Sequence, residues 1–457
     1  MKKGILILIL LILALFSVSC IYAADADDAL ASNEDTAAIE IAQIDDIIVS
    51  DEIQAVEQSN DEELILEDND VKELGAGEYN YTDLRNQIGT GGDINLVKGN
   101  YYYVDGDGDT IEISTSGVID GNGAVIDMAG SAIRAFKVNT SGVTIKNMTI
   151  KNANYAGIGG AIYFSGEGIV TDCNFVNDSA YAGGALSFGQ SGTVKNCNFT
   201  DNKATSRDIL VVPAVGGAIY FDLTGTVENC NFTNNNATYY GGAVYSWNQC
   251  NVTNCNFTSN TANFGGAVCF DETGNVSNCN FAGNTATDRG GAVYSWNQCN
   301  VTNCNFTNNN ASNLGGAIVI YSASVENCNF TNNQATGDDS EGGAIYFHSS
   351  GTVSNCNFED NNVSGNGGAV SFAHDKGSVE NCSFTNNSAS MGGAVYFSSP
   401  DSVAKRCDFA GNNAIGDGGA VYFASDECSA ENCNFTSNSA LKGGAVYFKT
   451  FGYAINC

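Results

Sequence analysis

The chain has 457 residues, with 51 acidic against 18 basic side chains, a formal charge of −33 and only two histidines. That balance argues against nucleic acid and anionic membrane surfaces as partners. Two histidines and no Cys-x-x-Cys pair likewise argue against a zinc site.

The chain opens with Met1-Lys2-Lys3, an apolar run from Gly4 to Ser19 and the small residues Ala23, Ala24 and Ala26. This reads as a secretory signal peptide over residues 1–24, with an uncleaved N-terminal anchor as the alternative. Cys20 lacks the Leu-like residue three places earlier that a lipoprotein signal has. Residues 25–74 hold 18 of the acids and one base, Lys72. Such a segment cannot bury enough apolar surface to offset its ordering entropy, and a disordered acidic spacer is expected. The remaining 33 acids and 15 bases leave −18 for residues 75–457.

Residues 75–158 are expected to form an N-terminal cap and the first coils of a β-helix. Asp105-Gly-Asp-Gly-Asp109 makes Asp105, Asp107 and Asp109 the one calcium candidate. An EF-hand loop would need Gly at Thr110 and Glu at Ser116, so a solvated turn is the plainer reading. No other cofactor or metal is implied.

From Gly159 a phrase recurs. Gly-Gly-Ala followed by Ile, Val or Leu occurs twelve times up to Val446, usually 24 to 27 residues apart, and a Cys answers each copy 13 to 15 residues later. A period of this length means one small unit stacked many times, a solenoid. The copies lack the helical i, i+3, i+4, i+7 pattern and strong helix formers, which excludes helical repeats. Short β-branched and aromatic runs between Asn, Gly, Ser and Thr predict brief strands and tight turns.

The fourth and sixth residues of the phrase are apolar (Ile162 and Phe164, Val395 and Phe397), so they point inward and the fifth outward. A second strand carries Val227, Val252 and Val353. A third carries Cys and Phe two apart, as in Cys230 and Phe232, after an Asn (Asn229, Asn303, Asn355) suited to the left-handed turn region. Three strands and three turns in about 25 residues are one coil of an all-β, right-handed, single-stranded parallel β-helix. At ~4.8 Å per coil the twelve coils span roughly 55 Å, with a few further coils before them. The Asn three places after Phe (Asn202, Asn235, Asn260, Asn284, Asn309, Asn333) is expected to cap a turn and bond its stacked neighbours.

Eleven cysteines, Cys173, Cys197, Cys230, Cys255, Cys279, Cys304, Cys328, Cys356, Cys382, Cys407 and Cys433, form one structural ladder that Cys457 continues. In-register strands hold stacked Cβ atoms somewhat beyond the ~3.8 Å a disulfide prefers. They read as buried thiols acting as small hydrophobes.

Gly241–Thr258 and Gly290–Thr307 are identical and carry the only tryptophans, Trp247 and Trp296, together with Tyr245 and Tyr294. Two coils apart on one flank, these four are the candidate ligand-binding residues, as aromatic faces for sugars. Duplication alone is the plainer explanation of their identity. The insertion from Lys203 to Val215 and the Asp338-Asp339 turn are the places where a catalytic cleft would have to be sought. Minimal turns elsewhere, few arginines and no assembled triad argue against an enzyme. Asn-x-Ser/Thr sequons such as Asn198, Asn231 and Asn256 come with the third strand, and some glycosylation is expected of an exported chain.

Gly-Gly-Ala-Ile/Val with Phe-x-x-Asn resembles the paired motif of polymorphic outer-membrane protein repeats. The Asn-Cys-Asn-Phe-Thr style is similar to adhesin-like β-helix proteins on the surfaces of methanogenic archaea. Val118–Asp127 and Ser141–Ile150 resemble opening coils of the pectate-lyase-like superfamily. This resemblance implies a β-helix over residues 80–457, a secreted or cell-surface location, and a non-catalytic adhesin-like role toward glycans or the surfaces of other cells. A polysaccharide lyase or hydrolase and a passive envelope protein are the alternatives. Cys457 falls in mid-coil within the repeat region 159–457. Either truncation or a chain-to-chain contact covering the last, uncapped coil would account for that.

Overall fold

Each coil is made of strands because alternate side chains in short β-branched and aromatic runs find the interior. In the coil that starts at Gly216 the strands are Ile219–Phe221, Gly225–Glu228, Asn231–Thr233 and Asn236–Ala237. Each pairs in parallel with its counterparts before and after. Ile219 meets Leu186 and Val244, Val227 meets Val194 and Val252, and Phe232 meets Phe199 and Phe257. The computed structural model describes residues 77–206 and 213–457. The expected signal peptide, the acidic spacer and the centre of the 203–215 insertion lie outside the described residues.

The described chain is a right-handed parallel β-helix of about 15 turns, with 40 strands in one wound sheet and ten in a second strip. That second strip corrects the expectation of three strands per coil. Eight of its ten members, such as Asn236–Ala237 and Asn310–Ala311, are two residues long, too brief to leave an alternation in the sequence; Thr261–Phe264 and Thr285–Arg289 are the longer two.

One continuous core runs through the coils. Phe232, Phe257, Phe281 and Phe306 stack at 4.7 to 4.8 Å with their rings within 3° of parallel. Asn229, Asn303 and Asn355 adopt the left-handed turn as expected, with φ of 55°, 55° and 54°. Asn202, Asn235, Asn260, Asn284, Asn309 and Asn333, three places after Phe, are buried and bond their neighbours. Asn260 donates its backbone and side-chain N–H to Asn284 Oδ1 at 3.0 Å each, and its amide also reaches Phe232 O at 3.1 Å.

The ladder from Cys173 to Cys433 is buried and consists of free thiols. Cys255 Sγ accepts the Cys230 N–H at 3.4 Å, and its S–H faces Thr253 O at 3.2 Å. Burial pushes the Cys197 and Cys230 thiols up.

Both glycines of the phrase are forced. Gly241 has φ of 62°, and a Cβ there would overlap Val244 O; on Gly242 it would overlap the carbonyl of Gly266 in the next coil. The corner is therefore both sharp and stacked backbone on backbone.

The N-terminal end of the core is closed by the helix Tyr81–Ile88, entered through a capping box between Asn80 and Asp83. Tyr81, Leu84 and Ile88 are buried in the core, and the Tyr81 hydroxyl donates to Ala135 O at 2.7 Å. In the coil with Val446–Phe448 and Gly452–Ile455, Phe451, Tyr453 and Ile455 are exposed.

Candidate functional site

The sharp Gly-Gly corner brings two columns of side chains together on the outside of the helix. The first is the residue before each glycine pair: Val215, Tyr240, Phe264, Arg289, Leu314 and Glu341, joined coil to coil by backbone bridges. The second is the fifth residue of the phrase, which points away from the core. Across the corner the Tyr240 and Tyr245 rings lie 5.7 Å apart, the Lys442 ammonium sits 6.0 Å from the Tyr447 ring, and the Ser371 hydroxyl donates to Glu341 at 2.7 Å. In an early coil Arg134 occupies the register of the second glycine, buried with its guanidinium 4.0 Å from the Tyr155 ring.

This packing corrects one sequence expectation. Tyr245 and Tyr294 point outward but are only 2 % and 1 % exposed, because the residues of the first column cover them. Burial raises both phenols far above the usual range. They support the surface and offer no face to a ligand.

The surface itself is the next outward column, the seventh residue of the phrase. Register puts Asp222, Trp247, Asp271, Trp296, Tyr321 and His348 on six consecutive coils, and all are half-buried. Aromatic rings and carboxylates alternate along the first four. The Tyr220 hydroxyl donates to Asp222 Oδ1 at 3.0 Å. Burial nevertheless lifts the Asp222 carboxyl above the usual carboxylate range, against the pull of that bond.

The two tryptophans differ although their 18-residue surroundings are identical. Trp296 packs edge-on to Tyr294 at 4.9 Å, tilted on Phe264 at 6.1 Å and Tyr321 at 6.3 Å, and near Tyr240 at 6.4 Å. Its indole N–H is buried with no hydrogen-bond partner. Trp247 has no aromatic ring within packing distance among the described residues.

Two causes are visible. The first-column residues preceding Trp296 are Phe264 and Tyr240, whereas those preceding Trp247 are Val215 and Ala182. In addition, the coil after Trp296 reaches its Cys in 13 residues where most take 14. The pairing then shifts between Ser295 and Gln298, and Val293–Thr302 becomes one continuous strand. The first copy stays divided into Val244–Ser246 and Cys250–Thr253.

Beyond Trp296 the column continues as Tyr321 and His348, whose rings stack at 4.1 Å, with His374 at 4.8 Å from His348. A shallow open trough lined by Gln298, Asn300, Ser322, Ser324, Thr352 and Lys376 runs beside it. Sequence reasoning missed Tyr240, Phe264, Tyr321 and His348. Aligning the copies on Gly-Gly and reading the columns before and after the phrase would have found them.

The other candidates stay apart. Asp107 accepts the Val104 N–H at 2.8 Å and the Thr82 hydroxyl at 3.3 Å, which makes its loop an ordinary turn. Among the described residues no group of three or more His, Cys, Asp or Glu could hold a metal ion, so Asp105, Asp107 and Asp109 do not assemble the calcium site. Asp338 and Asp339 are exposed in their turn. At the end of the insertion the Tyr181 hydroxyl donates to Pro213 O at 2.8 Å. The sequon residues Asn198, Asn231, Asn256, Asn305 and Asn329 form an exposed ladder; the last four donate to the preceding Asn at 2.8 Å, as Asn198 does to Asn174. Among the described residues no helix is long and apolar enough to cross a membrane.

A family profile described as a right handed beta helix region matches residues 131–306 and 291–457. No curated protein and no solved structure matches the chain.

Proposed function

The chain belongs to the right-handed beta helix family, and from that premise we propose that it is a non-catalytic, adhesin-like rod, secreted or held at the cell surface, that binds glycans or partner cells. The observation that carries this reading is the Asp222–His348 strip, where rings and carboxylates gather on one outer face over six coils. Aromatic faces take up the C–H faces of sugars, and carboxylates accept from their hydroxyls. The likeness of the repeats to adhesin-like proteins of methanogens and to polymorphic outer-membrane protein repeats supports a surface role. A solenoid suits it, since coils bury each other and leave outward positions to vary.

A second reading, polysaccharide cleavage, rests on Asp222, whose raised carboxyl beside Trp247 is the kind of group a general acid requires. Incubating the full chain with a polysaccharide panel and intact microbial cells tests both. Retention without release of sugar ends supports the adhesin, and release of sugar ends puts cleavage first. Neither signal would leave a passive structural role.

A further inference from the structure

Within the strip, Trp247 stands out as the indole that no other ring of the described residues stacks on. Its main chain is pinned on the following coil, where Glu272 N–H donates to Trp247 O at 3.2 Å, and on the preceding one, where Trp247 N–H donates to Phe221 O at 2.9 Å. The neighbouring Asn248 amide donates to Asp222 O at 3.0 Å. Asp222 lies one coil before and Asp271 one coil after, in the same register. A step of ~4.8 Å on either side makes the two aspartates the column neighbours of the indole. No lysine or arginine occupies this column from Asp222 to Trp296, and Asp222 is held by Tyr220.

We propose that Trp247, Asp222 and Asp271 form a sugar subsite that takes neutral or amino sugars and rejects uronates and sulfated sugars. This rests on the glycan-binding reading and names the class of glycan. The indole provides an apolar platform for one pyranose face. Two carboxylates accept from ring hydroxyls and attract an ammonium, while an anionic sugar would stand between two like charges. Trp296, packed into its aromatic neighbours, is a framework residue.

The test uses the full chain on immobilised chitosan, an uncharged glucan, polygalacturonate and a sulfated glycan. Retention is expected on the first two. Trp247→Ala should lower it by about tenfold without shifting the melting temperature, and Trp247→Phe should restore part of it. Trp296→Ala should lower the melting temperature and leave retention of the folded fraction intact. Asp222→Asn with Asp271→Asn should remove the preference for chitosan over the uncharged glucan. Equal retention of polygalacturonate, or unchanged retention by Trp247→Ala, overturns the subsite while leaving a glycan-binding rod. A chain that retains none of the four overturns the glycan reading and the subsite together.

Discussion

Asn202 directs both its backbone N–H and its side-chain amide at a single atom, Oδ1 of Asn235, at 3.0 Å each. The same double donation repeats through Asn260, Asn284, Asn309 and Asn333. One side chain thereby satisfies the turn of the coil before it and, through Phe O, the strand beneath. These turns are buried, so the bonds replace water that cannot reach them.

Asn284→Ala should therefore be expensive. It removes the acceptor for both Asn260 donors and the donor to Phe257 O. Leaving buried polar groups unmatched should lower stability by about 3 kcal/mol. Urea unfolding of the variant against wild type measures this, and a change below about 1 kcal/mol would mean the ladder is a weak element.

Asp178 starts the same column with a carboxyl. Its Oδ1 accepts the Ala153 N–H at 2.9 Å, but its buried Oδ2 has no partner where an Asn amide would donate. Burial raises its pKa well above the usual value, above that of an unfolded aspartate near ~3.9. The native state thus keeps a proton the unfolded state loses. Stability is fully present below that unfolded value and falls as pH rises through the folded one. Asp178→Asn should flatten this decline and raise the melting temperature at pH 7 relative to wild type. A scan of melting temperature from pH 4 to 8 decides it.

Gly266→Ala should sever the stack. Its Cβ would overlap Gly291 O in the next coil, backbone against backbone, with no flexible side chain to yield. A loss of about 3 kcal/mol or more is expected. Limited proteolysis should then cut near this coil in the variant and spare it in the wild type.

Thiol labelling separates the described cysteines. Native protein should react at Cys457, which is exposed, and leave the ladder from Cys173 to Cys433 untouched. Raising the pH to 8.5 should not open the ladder, because its sulfurs are buried beyond a reagent's reach whatever their protonation. Unfolding should release the full set at once, and labelling of any ladder residue under native conditions would contradict this packing.

Much of the fold was legible in the chain because each coil repeats its neighbour's constraints. Gly-Gly marked the corner, Val and Phe the inward positions, and Asn229 the left-handed turn. The helix Tyr81–Ile88 escaped notice because it occurs once, although Asn80 and Asp83 carry its capping box. The candidate strip was legible only in part. Trp247 and Trp296 marked it, yet identical sequence concealed different surroundings. What separates them lies in other coils: Phe264 and Tyr240 on one side, and a coil one residue short on the other. Tyr245 and Tyr294 were misread for a related reason. Alternation tells inside from outside, but a re-entrant corner can bury the outside as well.

Most junctions between the repeated coils present like faces, with Gly over Gly, Phe over Phe and Asn over Asn. A coil can therefore be seated on another with these three columns still in register. Unequal recombination between Gly241–Thr258 and Gly290–Thr307 would delete or add whole coils and leave every seam intact, changing the reach of the rod and the number of strips it displays. In such a protein, length is a heritable quantity that can change in a single step without a new fold having to be found.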